Sequence, residues 1–371
     1  MSLLDLKWCS DCVAMSTRPR LNFSEEGLCS ACQWSQAKKR VDWGSREKEL
    51  MELLDQHRSS GKFDVLVPVS GGKDGSYVAY QLKHKYGMNP LCVTVNPHLP
   101  LEIGIKNLRN FAESGFDLVT CSPRYDAMRL LNTIGLEKKG FPYYGWLIAI
   151  HTAVLRLAEN FGIDLIFYGE DGEVEYGGDA SSANIAVYGP EYMEKIYLEG
   201  GYDLVMREAK LSEADRFWFS FPKIARDGSL KVTHWSYFEA WDSYRNYLVA
   251  KEHCGLEEGL VSGDGTFTNF AQNDQALYAL HAFLMFLKYG FGRANQDACI
   301  EIRRGAMSRQ QALELVRLYD GLFPIQNLDV YCDYYQLSPE QFRKILCKWT
   351  NSDLFDWPDV GWEPIRKFEI S

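Results

Sequence analysis

The 371-residue chain reads as an α/β protein: a doubly wound parallel sheet, preceded by a small four-cysteine ribbon and followed by a mainly helical region. Three observations predict this. Between residues 63 and 168 short, continuously apolar runs alternate with helical stretches, the rhythm of βαβ units whose sheet is covered on both faces. Two Cys-x-x-Cys knuckles precede the first apolar run. Beyond about residue 200 the strand signals fade, and amphipathic stretches take over at 208–220, 236–253, 272–289, 307–320 and 338–349. The expected divisions are a ribbon over 1–35, a linker helix over 36–60, a sheet domain over 61–205 and a helical substrate or partner region over 206–371.

Cys9, Cys12, Cys29 and Cys32 form the two knuckles. This spacing suits one closed Cys₄ site, and four thiolates can fix a segment too poor in apolar residues to fold alone. Structural zinc is expected, with an iron–sulfur centre as the alternative on the same ligands. The charged segment after it carries Leu50, Met51, Leu53 and Leu54 on a partly amphipathic helix, ended by Ser59-Ser60-Gly61. Phe63–Val69 then reads as a buried strand, and a helix runs from the following turn to about Tyr86, stopped by Gly87. Pro90–Val95 is a second buried strand, broken by Asn96-Pro97-His98. A helix with Ile105, Leu108 and Ala112 on one face closes at Gly115, and Asp117–Cys121 is the third strand. Residues 146–161 form an almost wholly apolar helix capped by Gly162, and Asp164–Tyr168 is the fourth strand. Cys92 and Cys121 lie in strand-like runs, where a buried inert thiol is expected.

The turn after the first strand is Ser70-Gly71-Gly72-Lys73-Asp74-Gly75-Ser76. Its glycines allow a sharp turn and close approach to a ligand, while free N–H groups at the helix start and the helix dipole favour an anion. Ser70 and Ser76 add hydroxyls and Lys73 a point charge. The pattern is not Gly-x-x-x-x-Gly-Lys-Ser/Thr. It resembles the PP-loop of the ATP pyrophosphatases, which cleave ATP to AMP and pyrophosphate. That resemblance implies pyrophosphate held by Ser70, Gly71, Gly72, Lys73, Gly75 and Ser76, magnesium on Asp74, and adenine lined by Val93, Thr94 and Val95. Open α/β sheets bind ligands at the carboxyl ends of their strands. Glu170 and Asp171, straight after the fourth strand, are therefore the other candidates for the reacting centre, ahead of Glu173 and Glu175.

Composition bounds the reading further. Hydrophobic residues make up 46% of the chain, as in a well-packed enzyme, and the net charge of −10 argues against nucleic acid as a partner. No run of 18 apolar residues and no charged-then-apolar leader is present, so a cytoplasmic protein without membrane contact is expected.

Several later tracts carry polar groups among aromatics or paired guanidiniums: Phe221-Pro222-Lys223, Thr233-His234-Trp235-Ser236-Tyr237-Phe238, Gly265-Thr266-Phe267-Thr268-Asn269-Phe270, Gln272-Asn273-Asp274 and Glu301-Ile302-Arg303-Arg304-Gly305-Ala306-Met307. Together with the knuckles, the loop and Tyr168-Gly169-Glu170-Asp171, most of these tracts make nearly the whole chain resemble the N-acetyl sugar amidotransferases of bacterial surface-polysaccharide and O-antigen biosynthesis. The resemblance implies conversion of a sugar acetamido group to an acetamidino group. ATP adenylates the amide oxygen, and ammonia from a separate glutaminase subunit displaces AMP. It also implies an N-acetyl sugar, nucleotide-linked, met by Arg303, Arg304 and His234. No cysteine sits in a Gly-x-Cys-x-Gly elbow, so no glutaminase is expected within the chain. A PP-loop tRNA thiolase is the main alternative. Such enzymes carry a further Cys-x-x-Cys near the helix before the third or fourth strand, where this chain reads Phe141-Pro142-Tyr143-Tyr144-Gly145-Trp146. A zinc-ribbon adaptor that senses nucleotide is a third reading.

Overall fold

The computed structural model describes residues 6–59, 62–198, 201–222 and 230–371. Ser60, Gly61 and Lys223, named above, lie outside them. Six strands form one sheet in the order β3-β2-β1-β4-β6-β5. These are β1 (Val65–Pro68), β2 (Pro90–Val95), β3 (Asp117–Cys121), β4 (Leu165–Tyr168), β5 (Val187–Tyr188) and β6 (Lys231–His234). All neighbours are parallel except β5, which runs antiparallel to β6. Strand order reverses beside β1, so the ligand crevice of a doubly wound sheet opens at the carboxyl ends of β1 and β4.

The central strands are made of Val, Leu, Ile and Phe because both faces are covered, and all six residues of β2 are buried. β3 is an edge strand, and only its Cys121 is fully buried. One layer of helices includes α5 (Tyr125–Lys139) and α6 (Tyr144–Phe161). Twelve of the eighteen α6 residues are buried, which explains its lack of a polar face. On the other face α3 (Lys73–Tyr80) continues through a widened last turn, closed by the Tyr86 amide on the Gln81 carbonyl, before Gly87 in left-handed conformation. Short helices follow β4, β5 and β6 in turn, namely α7 (Gly172–Tyr176), α8 (Asp203–Ala209) and α9 (Trp235–Phe238), and α10 (Ser243–Cys254) packs against α3.

α4 (Glu102–Glu113) turns a different face inward from the one its aliphatic stripe suggests. Gly104, Asn107 and Phe111 are buried, while Ile105 is 57% exposed. The reason lies in the crevice: Ile105 and Leu108 line its wall. The sheet also extends beyond the division expected at 205, because residues 231–234, placed by sequence in the helical region, form β6.

Beyond the sheet the chain is helical, with α11 (Leu277–Tyr289), α12 (Arg293–Arg303), α13 (Arg309–Tyr319), α14 (Leu328–Tyr335) and α15 (Pro339–Trp349). The last two of the expected amphipathic stretches each begin with a capping box, at Ser308 and Ser338. α12 and α14 had no counterpart among the expected helices, nor did α5. The N-terminal ribbon is followed by α1 (Ser30–Lys38) and α2 (Trp43–His57). Among the described residues no helix is long and apolar enough to cross a membrane.

Candidate active site

The loop after β1 begins α3 directly: Gly72 is its N-cap and Asp74 lies in its first turn. Gly71 is the residue the turn cannot replace. Its φ is +78°, and a Cβ there would meet the backbone nitrogen of Leu108 at 2.5 Å. The loop is thus pressed against α4.

Two cavities meet at this loop. The larger, about 940 Å³, runs along the carboxyl ends of β1, β2 and β4 and is lined by Ser70, Gly75, Val93, Thr94, Val95 and Glu170 among others. Two stacked aromatic pairs belong to its wall. His98 stacks on Tyr125 at 4.2 Å, and His151 stacks on Tyr197 at 5.0 Å. The smaller, about 350 Å³, is more polar and takes in the loop from Ser70 to Gly75, together with Tyr176, Gln272, Asn273 and Arg293. Ser70, Gly75, Glu170, Asp274 and Tyr278 belong to both walls. At the junction Gly104 lets the 273–274 segment lie on α4, since a Cβ there would come within 2.4 Å of the Asp274 Cα.

Glu170 occupies the point where the cavities join. It accepts a hydrogen bond from the Tyr176 hydroxyl at 2.8 Å. Burial, and then the neighbouring Asp74 charge, push its carboxyl up to about 7. Asp74 is ion-paired with Lys73 through one oxygen, while its other oxygen, Oδ1, is buried without a partner. An unsatisfied carboxylate oxygen beside a second acid is what a divalent cation would relieve, so Asp74 fits magnesium accompanying a phosphate. Asp274, on the shared wall, is pushed up to about 6 by burial.

The structure separates the candidates that sequence had grouped. Asp171, unlike Glu170, lines neither cavity. It caps the short helix α7 (Gly172–Tyr176) by accepting from the Glu173 amide at 3.0 Å, and its other oxygen takes the Ser182 and Tyr192 hydroxyls at 2.7 and 3.1 Å. A carboxylate so occupied orders the segment after β4. Glu173 and Glu175 are anchors for the ribbon: Arg20 grips Glu173, and Trp34 and Lys38 bind Glu175. His234 is fully buried at the end of β6, against the Tyr197 hydroxyl and among the rings of Tyr188 and Tyr192. Burial holds its imidazole down at about 4, so it stays neutral, behind the cavity wall. Ser76 is likewise fully buried and lines neither cavity.

Arg303 and Arg304 sit at the far end of α12 from the loop. Arg303 packs under the ribbon beside Arg18 and Cys299, held charged by the nearby cysteines despite its burial. Arg304 pairs with Glu301 at 2.5 Å and lies over the Tyr244 ring. The arginine at the loop cavity is Arg293, in the first turn of the same helix. Sequence reasoning passed over it because α12 itself went unrecognised. Ile105, Leu108 and the His151–Tyr197 pair were missed too.

The four ribbon cysteines are buried, and their sulfurs all lie within 4.8 Å of one another. The Cys9–Cys32 and Cys12–Cys29 separations are 3.8 and 3.7 Å. Tetrahedral ligation with Zn–S bonds of about 2.3 Å places sulfurs roughly 3.8 Å apart, so the set fits one tetrahedral ion. The main helical region grips this ribbon: Asn295 donates to the Val13 carbonyl at 2.7 Å and Arg309 to the Cys12 carbonyl at 3.2 Å.

Fold, loop and ribbon together define an α/β protein with a glycine-rich anion-binding loop between β1 and α3 and an N-terminal four-cysteine site. Residues 264–369 match the family model for the C-terminal domain of WbpG-like LPS biosynthesis proteins. The uncharacterized protein MJ1599 of Methanocaldococcus jannaschii is 32% identical over 104 residues, 28% of this chain and 37% of that protein's length. The alignment thus spans little more than a third of that curated relative. The U34-tRNA thiolase NcsA of Methanococcus maripaludis, solved with its [4Fe-4S] cluster, superposes with a TM-score of 0.31 at 14% identity, over 79% of this chain and 88% of that one.

Proposed function

We propose that the protein is an ATP-dependent amidotransferase that converts a sugar acetamido group to an acetamidino group in surface-polysaccharide biosynthesis. The observation that carries the reading is the union, in one chain, of a PP-loop with a region matching a domain of LPS biosynthesis proteins.

The chemistry begins with a difficulty. An amide carbon is a poor electrophile and its oxygen a poor leaving group. In the proposed reaction the acetamido oxygen attacks the α-phosphorus of ATP, and pyrophosphate departs into the N–H groups of Gly71, Gly72 and Lys73. Ammonia then adds to the carbon of the imidoyl adenylate, and AMP leaves with the oxygen. Glu170 is the group to take a proton from the incoming nitrogen, because its carboxyl sits near neutrality at the junction of the cavities. Asp74 would hold magnesium, which neutralises charge on the departing pyrophosphate. Adenine would lie against Val93–Val95 with Ile105 and Leu108 opposite. The sugar would meet the aromatic wall of Tyr168 and Tyr197. His234 and Asp171 would act from behind, fixing that wall. The ribbon site, as structural zinc, has all four positions filled by protein and leaves none for substrate.

Ammonia is assigned to a separate glutaminase, and the acceptor to an N-acetyl sugar carried on a nucleotide. Both substrates belong to the cytoplasm, where we place the protein. No cysteine lines either cavity among the described residues, which favours nitrogen over the persulfide chemistry of a tRNA thiolase. The test is product analysis with ATP, magnesium, an ammonium salt and a panel of free and nucleotide-linked N-acetyl sugars. AMP and pyrophosphate should form only with the correct sugar, whose product is lighter by the difference between O and NH. AMP release driven by tRNA and a sulfur donor, with every sugar silent, would overturn the reading.

A further inference from the structure

We infer that Arg293, a residue of the C-terminal region, is part of the pyrophosphate site, and that Asp297, Thr266 and Thr268 exist to aim it. The inference rests on the PP-loop reading of the site and adds the residue that the helical region contributes to it.

The polar cavity is walled on one side by the loop and on the other by Arg293, with Lys73 and Asp74 facing it. Asp74 and the Tyr176 hydroxyl both act electrostatically on the Arg293 guanidinium. One edge of that guanidinium is held: its Nη2 pairs with Asp297 Oδ1 at 2.7 Å, one helical turn along α12. Asp297 is itself fixed from the Gly265–Phe270 tract. Its other oxygen accepts the Thr266 hydroxyl at 2.6 Å and, more weakly, the Thr268 hydroxyl at 3.4 Å. The guanidinium Nε is buried and has no partner. A donor left unsatisfied on an ordered, desolvated arginine costs stability unless something binds there. A phosphate oxygen answers that need, since the planar fork of arginine matches phosphate geometry. The arrangement also explains why a threonine-rich turn far along the sequence is laid beside the loop. It is a support for one side chain.

The geometry sets apart two arginine roles on one helix. Arg293 at its start meets the loop, and Arg303 at its end meets the cysteine site. About ten residues of helix put them roughly 15 Å apart along the axis.

The experiment is calorimetric titration of the full chain with magnesium pyrophosphate and, separately, with adenosine. It uses wild type, Arg293→Gln and Arg293→Lys, and needs no sugar or ammonia. The expected result is a 10- to 100-fold loss of pyrophosphate affinity in Arg293→Gln, about the worth of one charged hydrogen-bond donor. Adenosine affinity should be unchanged, and Arg293→Lys should fall between. Unchanged pyrophosphate affinity in Arg293→Gln would overturn the assignment, as would wild type that binds no pyrophosphate. Should Arg293→Gln lose both ligands alike, Arg293→Lys decides. Selective weakening toward pyrophosphate upholds the site, and equal loss of both assigns Arg293 to packing. Sugar-independent binding of this kind can succeed even where the amidotransferase reading fails, so the two stand or fall separately.

Discussion

Replacing Glu170 with Gln tests the electrostatics of the junction without changing its shape. Gln keeps an oxygen for the Tyr176 hydroxyl, which donates to Glu170 at 2.8 Å in the native site. In the folded protein the Glu170 carboxyl is raised from 4.5 to about 7, by burial first and then by Asp74. A carboxyl raised on folding favours the protonated form. Its contribution to stability is therefore full below the unfolded pKa and is lost as pH rises through the folded one. From this group alone the wild type should lose roughly 2 to 3 kcal/mol between pH 5 and pH 8. Glu170→Gln escapes that loss. With an unfolding entropy of about 2.1 cal/mol/K per residue, the variant should gain roughly 3 °C in Tm over wild type between those pH values. Asp274 and Asp320, raised by burial to about 6 and about 7, titrate in both proteins and cancel in the difference. The assay is differential scanning calorimetry of both proteins across the range, without nucleotide. A difference that stays flat with pH would refute a Glu170 carboxyl raised toward neutrality and remove the argument that its ionised form is the proton acceptor. In the same variant ammonia-dependent turnover should fall about 10²- to 10⁴-fold.

Asp74→Asn should lower AMP release at least about 100-fold while leaving the fold intact, because the lost charge is the one that would face phosphate and cation; full turnover in the variant would remove the loop from the mechanism. Gly71→Ala must place a Cβ against the Leu108 backbone at φ +78°. ATP affinity measured by titration should drop about tenfold or more, and an unchanged value would show that the loop does not need this turn. Wild type should carry one equivalent of metal by elemental analysis, and Cys12→Ser should carry none and melt well below it, as ribbons without their ion do. Arg303→Gln should weaken metal retention against a chelator and leave ATP affinity alone, since that side chain faces the cysteines; the reverse pattern would restore Arg303 to the nucleotide site.

The sheet was legible where burial is written into composition. β2 and β3 have the bounds their apolar runs predict, and the loop between β1 and α3 is marked by its glycines. β6 was not legible. Its four residues, Lys231-Val232-Thr233-His234, hold one aliphatic side chain, and their burial comes from lying parallel to β4 rather than from their own hydrophobicity. Glu170 and Asp171 are adjacent, so their residue types alone could not say which faces the cavity. The deciding signal was local and available: Asp171-Gly172-Glu173 is an N-cap sequence, and a capping carboxylate is already occupied. Arg303-Arg304 drew attention as a pair, whereas Arg293 stands alone in the sequence. Its importance follows only from helix α12, whose start at Gly292 is set by distant contacts, with Asp320 accepting the Gly292 and Asn295 amides.

The ribbon is more than a foot on which the enzyme stands. Trp34 and Lys38 of α1 bind Glu175, the Ser30 hydroxyl binds the Gly177 carbonyl at 3.1 Å, and Arg20 holds Glu173. Each of these bonds ends on α7 or the residue after it. That one short helix carries Tyr176, whose hydroxyl fixes Glu170. An isolated helix of five residues has no stability of its own, so the orientation of Glu170 depends on what clamps α7 from outside. From the other side the helical region holds the same ribbon through Asn295 and Arg309, and delivers Arg293 to the loop. The cysteine site thus lies at the crossing of two supports, one for Glu170 at the junction of the cavities and one for Arg293 beside the loop. Loss of its ion should therefore cost activity before it costs the sheet, because the sheet core is built from β1, β2, β4 and α6 without any ribbon residue.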